Sequence, residues 1–355
     1  MNLQQSYQTG KLLIGDIELE SGDILTNVEV AYEKSGSVSG ETVLVCHALT
    51  GDQYAIGTAA APGWWNGLLQ PGGFIDTNRY AVITCNVLGG CDGTTSALSV
   101  DPSSNSRYAA AFPAITIRDM VIVQRLALQK LGISHLKAVI GGSLGGMQVL
   151  EWGVMYPEFM DVLIPLAATP YVSDYAIAYN HLAKTAIISD PDWKEGNYPA
   201  DRPPAAGLGI ARMAGMLTYR SDHQYNERFQ RAASRRKDAA YEVESYLDYQ
   251  GEKLVNRFDA NCYLSLLEAM NSHDIGRGRG GWQAAAKRME AIVLTFGFSR
   301  DLLYPPEEIE RFAALIPGAR HVNVETIYGH DGFLLEFDKW GHHIRDVLQQ
   351  PMKIL

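Results

Sequence analysis

The chain has no run of about eighteen apolar residues and no apolar stretch behind a basic amino-terminal segment, so a membrane span and a secretory leader are not expected and the cytoplasm is the expected compartment. Cysteine is scarce. Cys46, Cys85, Cys91 and Cys262 are spread over 355 residues with no C-x-x-C pair, too sparse for a disulfide framework, and reduced thiols are expected. Positive charge is also short: Lys and Arg number 30 against 40 Asp and Glu, a formal net charge of -10. Such a chain lacks the broad basic face that nucleic acid or an anionic membrane requires. An anionic ligand would have to be held by local basic side chains or backbone N–H groups. No His, Asp or Cys cluster has metal-ligand spacing, no G-x-x-x-x-G-K nucleotide loop occurs, and there is no internal repeat or low-complexity tract.

What remains is the composition of an ordinary globular enzyme, 46% hydrophobic and 20% charged. The length calls for one large domain with an insertion, or two domains. Short apolar β-rich runs at Thr42–Cys46, Tyr80–Asn86, Leu136–Ile140, Val162–Leu166, Ala291–Phe296 and His321–Val324 alternate with helical spacing, the pattern of a mostly parallel sheet covered by helices. In TIRDMVIVQRLALQKLGI, Thr116 is placed to cap a helix, Asp119 stands three residues on, and apolar positions recur until Gly132. From about Tyr171 to Gly281, Tyr, Arg, Asp, Asn and Met dominate and no strong strand is visible. The expected organisation is a core of residues 1–171 and 282–355 interrupted by a helical insertion at 172–281.

The strongest local signal is HLKAVIGGSLGGMQVLEWGVMYPE, where an apolar strand runs into Gly141-Gly142-Ser143-Leu144-Gly145 and then a helix. This is G-x-S-x-G in the strand–turn–helix setting of an α/β-hydrolase fold. The glycines let strand and helix approach without a Cβ collision, and Ser143 Oγ is presented at the end of the sheet. A serine hydroxyl needs a base, and the base an acid to set its tautomer; in this fold they follow in the order Ser, Asp or Glu, His. His330, in the loop TIYGHDGF after the last strand, suits the base, and Asp301, after the strand AIVLTF, suits the acid. His321, His342 and His343, with Asp274 and Asp331, are the competitors for those two roles. An oxyanion would be held by the backbone N–H of Leu144 and by one from the loop Cys46-His-Ala-Leu-Thr-Gly51, through Leu49. The loop Asn86-Val-Leu-Gly-Gly-Cys-Asp-Gly93 could line a channel, hold an anionic group or simply be a tight turn. GRGRGG at 276–281 reads as a solvated hinge closing the insertion.

Beyond the triad, CHALTGD at 46–52, NVLGGCDGTT at 86–95, FPAITIRDMV at 112–121, GGSLGGMQ at 141–148, GIARMAGMLTYRS at 209–221 and GHDGFL at 329–334 resemble the homoserine O-acetyltransferase family over nearly the whole chain. The resemblance implies methionine-branch chemistry with acetyl-CoA as co-substrate and no resident cofactor. Ser143 takes the acetyl group, CoA leaves, and L-homoserine attacks the acyl-enzyme. It further implies that Arg212, Tyr219 and Asp331 contact the amino-acid substrate, and that the insertion forms a lid and the contact of a homodimer. The chain departs from the family at Ser96-Ala-Leu-Ser-Val-Asp-Pro and Asn105-Ser-Arg-Tyr-Ala-Ala, changes that bear on acetyl against succinyl donor and homoserine against serine acceptor, and to a smaller extent at Phe298-Ser-Arg300 before Asp301. The triad by itself equally fits a hydrolase of small esters.

Overall fold

A computed structural model describes residues 5–350. Its main sheet has eight strands: β1 (Gln5–Glu18), β2 (Ile24–Ser37), β3 (Thr42–Cys46), β4 (Ala81–Cys85), β5 (Leu136–Gly142), β6 (Met160–Leu166), β7 (Ile292–Phe298) and β8 (Arg320–Val324). They lie side by side in the order β1-β2-β4-β3-β5-β6-β7-β8. From β4 to β8 every pairing is parallel; β1 and β2 pair antiparallel with each other, and β2 antiparallel with β4. The central strands are apolar on both faces because both are covered. Along β3, Val43 and Val45 pack into one core, and Leu44 and Cys46 into the other.

Helices α1 (Ile117–Lys130), α2 (Leu144–Met155) and α9 (Pro306–Ala313) cover one face, and α10 (Phe337–Leu348) lies with Trp65, Leu68 and Ile75 on the other. The Thr116 hydroxyl accepts the Asp119 N–H and the Asp119 carboxylate accepts the Thr116 N–H, a reciprocal cap, and the helix stops before Gly132 at φ +73°. The six strands read from the sequence are all present, Thr42–Cys46 with the same ends and the others with at least one end shifted by one or two residues. The β1–β2 hairpin has no strong sequence signal: each strand runs 14 residues, but β1 is an edge with most of its side chains exposed, and Gly10 and Gly15 interrupt its alternation.

Between β6 and β7 the chain forms α3 (Asp174–Ile188), α4 (Ala205–Tyr219), α5 (Asp222–Phe229), α6 (Glu242–Val255), α7 (Ala260–Asn271) and α8 (Trp282–Ala286). The segment leaves and returns through one narrow antiparallel contact, where Val172 N–H donates to His273 O and Ile275 N–H to Pro170 O. The GRGRGG run is largely exposed, as a solvated segment would be, but its arginines are anchored. Arg279 reaches Glu151 at 2.7 Å and Arg277 reaches Glu20 at 2.9 Å, while Arg118 of α1 bridges both carboxylates and the carbonyls of Asp274 and Arg277. Glu151 is buried on α2, so this network ties the root of the helical segment to the core.

Candidate active site

Ser143 ends β5 and precedes α2 with φ 59° and ψ -124°, a left-handed conformation that a non-glycine residue adopts only under constraint. The constraint comes from its neighbours. A Cβ on Gly145 would stand 2.1 Å from Cys46 O, one on Gly141 2.6 Å from the same oxygen, and one on Gly142 2.3 Å from the Phe333 ring. The four glycines flanking the serine therefore let β5, β3 and α2 converge, and the Ser143 N–H is held by Leu166 O at 3.0 Å.

His330 lies in a 3-10 turn, Gly329–Leu334, beyond β8. Its Nδ1–H donates to Asp301 Oδ2 at 2.7 Å, and both side chains are shielded from solvent. The other carboxylate oxygen of Asp301 accepts the N–H groups of Leu303 and Tyr304 at 2.9 and 3.0 Å. The Ser299 hydroxyl donates to Thr326 O and accepts the Thr326 N–H, clamping the loop that carries Asp301 to the one that carries His330. The rings of Tyr304, Tyr219 and Phe333 surround the imidazole with centroids 5.2, 6.0 and 5.4 Å away. Among the described residues no hydrogen bond joins Ser143 Oγ to His330; the two groups face one cavity of about 320 Å³.

The same cavity is lined by Leu49, Arg212, Tyr219, Tyr304 and Asp331. Among the described residues neither the Leu49 N–H nor the Leu144 N–H donates to any protein acceptor. Leu144 opens α2, whose amino-terminal dipole favours negative charge at that point. Arg212 makes no ion pair among the described residues; its guanidinium lies 5.4 Å over the Tyr219 ring. Asp331 is paired, with Arg220 Nε at 2.8 Å from its Oδ2. Burial holds the Asp331 carboxyl above its usual range, against the opposing pull of Arg220, His330 and Arg212. The Tyr304 phenol is pushed up by burial, then by Asp301 and Tyr219, while a hydrogen bond with Ser143 acts the other way.

Arg220 and Tyr304 were not singled out in the sequence. Arg220 directly follows Tyr219 in a quoted motif, yet its pairing with Asp331 crosses from α4 to the His330 turn and leaves no local trace. Of the competitors, Asp331 lines the cavity but the His330 Nδ1–H goes to Asp301; the others lie elsewhere, with Asp274 capping the turn at Gly276, His321 bonding Thr295, and His342 beside His343 on α10. The Asn86–Gly93 loop does not line the cavity. The N–H groups of Asn86, Val87, Gly89 and Gly90 are used within the fold, so it is mainly a structural turn. Residues 96–110, where the chain departs from the family pattern, also lie outside the cavity lining. Among the described residues no group of three or more His, Cys, Asp or Glu side chains is placed to hold a metal ion, and no helix is long and apolar enough to cross a membrane.

Residues 41–337 match the family model for the alpha/beta hydrolase fold. The chain is 42% identical over 350 residues to a homoserine O-acetyltransferase of Moorella thermoacetica, covering 94% of both chains. Its structure resembles the crystal structure of homoserine O-acetyltransferase from Bacillus anthracis, with a TM-score of 0.91, 26% identity, and coverage of 98% of this chain and 99% of that one. Esterase E22 has the same fold, with a TM-score of 0.88 at 24% identity and coverage of 98% and 100%.

Proposed function

Given that this chain belongs to the α/β-hydrolase fold and, within it, to the homoserine O-acetyltransferase family, we propose that it transfers an acetyl group from acetyl-CoA to L-homoserine through an acyl-Ser143 intermediate. The observation that carries this reading is the presence, in one cavity with Ser143 and the His330–Asp301 pair, of an unpaired Arg212 guanidinium and the Asp331 carboxylate. An amino-acid acceptor needs such a pair of charges at its α-carboxylate and α-ammonium, and an ester hydrolase needs neither.

In the first half-reaction Ser143 Oγ attacks the thioester carbonyl carbon while His330 Nε2 takes the hydroxyl proton. The oxyanion forms against the Leu49 and Leu144 N–H groups. The C–S bond then breaks, and the CoA sulfur leaves with the proton from His330. In the second half the homoserine side-chain hydroxyl attacks the ester carbonyl, His330 accepts its proton, and the same proton returns to Ser143 Oγ as the C–O bond to the enzyme breaks. Asp301 holds the imidazole with its proton on Nδ1 throughout. Arg212 binds the α-carboxylate, with Tyr219 stacked beneath it, and Asp331 binds the α-ammonium.

A cytoplasmic homodimer is part of the same reading. The four unpaired cysteines fit a reducing compartment. Leu182, Ile210 and Leu217 of the helical segment expose apolar surface suited to a second copy. The test is thiol release from acetyl-CoA by the purified protein, with succinyl-CoA and L-serine as alternative substrates. Release that requires L-homoserine and vanishes in Ser143→Ala supports the proposal. Equal release with water alone would make the chain a hydrolase, and a preference for succinyl-CoA or serine would reassign the donor or acceptor.

A further inference from the structure

A buried histidine with no place in the reaction scheme lies beside one of the two amides proposed to hold the oxyanion. His47 follows β3 and is 1% exposed. Its Nε2 receives the Val87 N–H at 3.0 Å, with Asn86 Nδ2 3.3 Å away, and its Nδ1 lies 2.8 Å from Ala48 O. The Val87 amide can only donate, so Nε2 must be the acceptor and the ring proton must sit on Nδ1, donating to Ala48 O. Burial lowers the pKa of this imidazole and keeps it neutral. Gly51 N–H donates to the same carbonyl at 2.9 Å.

Ala48 C=O and Leu49 N–H are the two ends of a single peptide plane, and in a trans peptide they point in opposite directions. Anchoring the carbonyl from one side therefore aims the Leu49 N–H to the other, where no protein acceptor meets it. A second buried side chain spans the two donor segments. Gln148 Nε2 donates to His47 O at 3.3 Å and to Leu144 O at 3.1 Å, so one amide bridges the two segments that carry the Leu49 and Leu144 donors. Gln148 is itself fixed by Gln124 Nε2 at 2.6 Å, and Gln124 Oε1 accepts the Trp152 indole N–H at 2.8 Å. None of these four side chains lines the cavity.

We propose that His47 and Gln148 are positioning residues for acyl transfer: His47 sets the direction of the Leu49 N–H, and Gln148 sets its separation from the Leu144 N–H, a role that rests on the proposed assignment of those two amides as the oxyanion hole. Each acts through backbone and touches neither substrate nor Ser143.

The experiment is stopped-flow acylation by p-nitrophenyl acetate, in which the burst amplitude counts working sites and the burst rate reports their chemistry. His47→Leu is expected to acylate about 100-fold more slowly per titrated site, the scale of one lost oxyanion donor, with KM for L-homoserine in the full reaction unchanged within about twofold. His47→Asn places an amide donor where Nδ1 stood and is expected to recover at least about tenfold of that loss, whereas His47→Gln places its amide at the Nε2 position and recovers none. Gln148→Met is expected to slow the burst about tenfold. A His47→Leu enzyme acylating within about threefold of wild type per site would overturn the proposal. Should that variant not fold, equal rates for His47→Asn and His47→Gln overturn it instead, as does a loss confined to burst amplitude. A wild-type protein with no burst that Ser143→Ala abolishes would remove the acyl-serine reading itself, and this proposal with it.

Discussion

Replacing Asp301 by Asn keeps the shape of the side chain and should nevertheless disable the site. Asp301 Oδ1 accepts two backbone N–H groups, from Leu303 and Tyr304, and Oδ2 accepts one, from His330. An asparagine has one oxygen and one NH2 to meet these three donors. Turned with its oxygen toward the backbone, it satisfies two N–H groups and presents NH2 to His330 Nδ1. Turned the other way, it leaves two buried N–H groups facing a donor, at roughly 1–3 kcal/mol each. The first arrangement is favoured, and it forces the imidazole to accept at Nδ1 and carry its proton on Nε2. A protonated Nε2 cannot take the Ser143 proton. By analogy with the same change in serine-protease triads, kcat should fall about 10⁴-fold, equivalent to about 5.5 kcal/mol in the barrier, with little change in KM. Steady-state thiol release gives the rate, thermal unfolding shows that the fold persists, and the ¹⁵N shifts of the labelled imidazole report the tautomer. A loss smaller than about tenfold, or a ring still protonated on Nδ1, would refute the assignment of Asp301 as the acid that sets the tautomer.

Arg212→Met should raise KM for L-homoserine by about 10- to 100-fold, the value of a charge-assisted contact, while acetylation of Ser143 by acetyl-CoA stays within a few-fold; an unchanged KM would remove Arg212 from the substrate site. Gly145→Ala puts a Cβ 2.1 Å from a backbone oxygen that has no freedom to yield, and unfolding should show a loss of at least about 3 kcal/mol; a stable, active variant would contradict the packing at the serine turn. Glu151→Ala leaves Arg118 and Arg279 largely buried without their shared carboxylate, and chemical denaturation should register a loss of about 3–5 kcal/mol. Burial lowers the His273 pKa to about 3 in the fold from 6.5 in a free imidazole. Between those values the unfolded chain binds a proton that the folded chain does not, so stability falls as pH drops from 6.5 toward 3, by up to about 1.4 kcal/mol per pH unit. His273→Gln should flatten the stability–pH slope in that window by about this amount, and an unaltered slope in urea titrations would reject the assignment.

What could be read in the sequence was whatever is decided locally. The turn around Ser143 is a five-residue steric problem, and only glycine solves it at Gly141 and Gly145, so its motif survives in the one-dimensional record. The doubly covered strands β3 to β7 read as apolar runs because both faces are buried, and the Thr116 cap is a four-residue hydrogen-bond circuit. What could not be read depends on pairings between distant segments. The β1–β2 hairpin is half exposed and carries no apolar run. Arg220 and Asp331 meet only because α4 ends above the His330 turn, and the arginines of 276–281 look solvated until Glu20, Arg118 and Glu151 are folded against them. Gln124 and Gln148 are the extreme case: each is an uncharged polar residue among the buried positions of its helix, and only the fold shows that they share a hydrogen bond.

The fold itself does not separate acyl transfer to an amino acid from hydrolysis, since esterase E22 overlays this chain about as well as an acetyltransferase does. The distinction has to lie in what the cavity offers the second nucleophile. Water and homoserine present the same kind of hydroxyl to the acyl-enzyme, but only homoserine brings two opposite charges held at a fixed distance from it. Arg212, which makes no ion pair among the described residues, is the group proposed to take the carboxylate. Among the described residues Asp331 is engaged by Arg220 through Oδ2 alone, which leaves Oδ1 open to an ammonium. Charge recognition at that pair can therefore hold the acceptor hydroxyl against the ester, an advantage of effective concentration that water cannot share. Asp331→Asn tests this directly: transfer to homoserine should fall by about 10-fold or more, while hydrolysis of the acyl-enzyme in the absence of homoserine stays near its wild-type rate. A parallel fall in both rates would mean that Asp331 serves His330 instead of the acceptor.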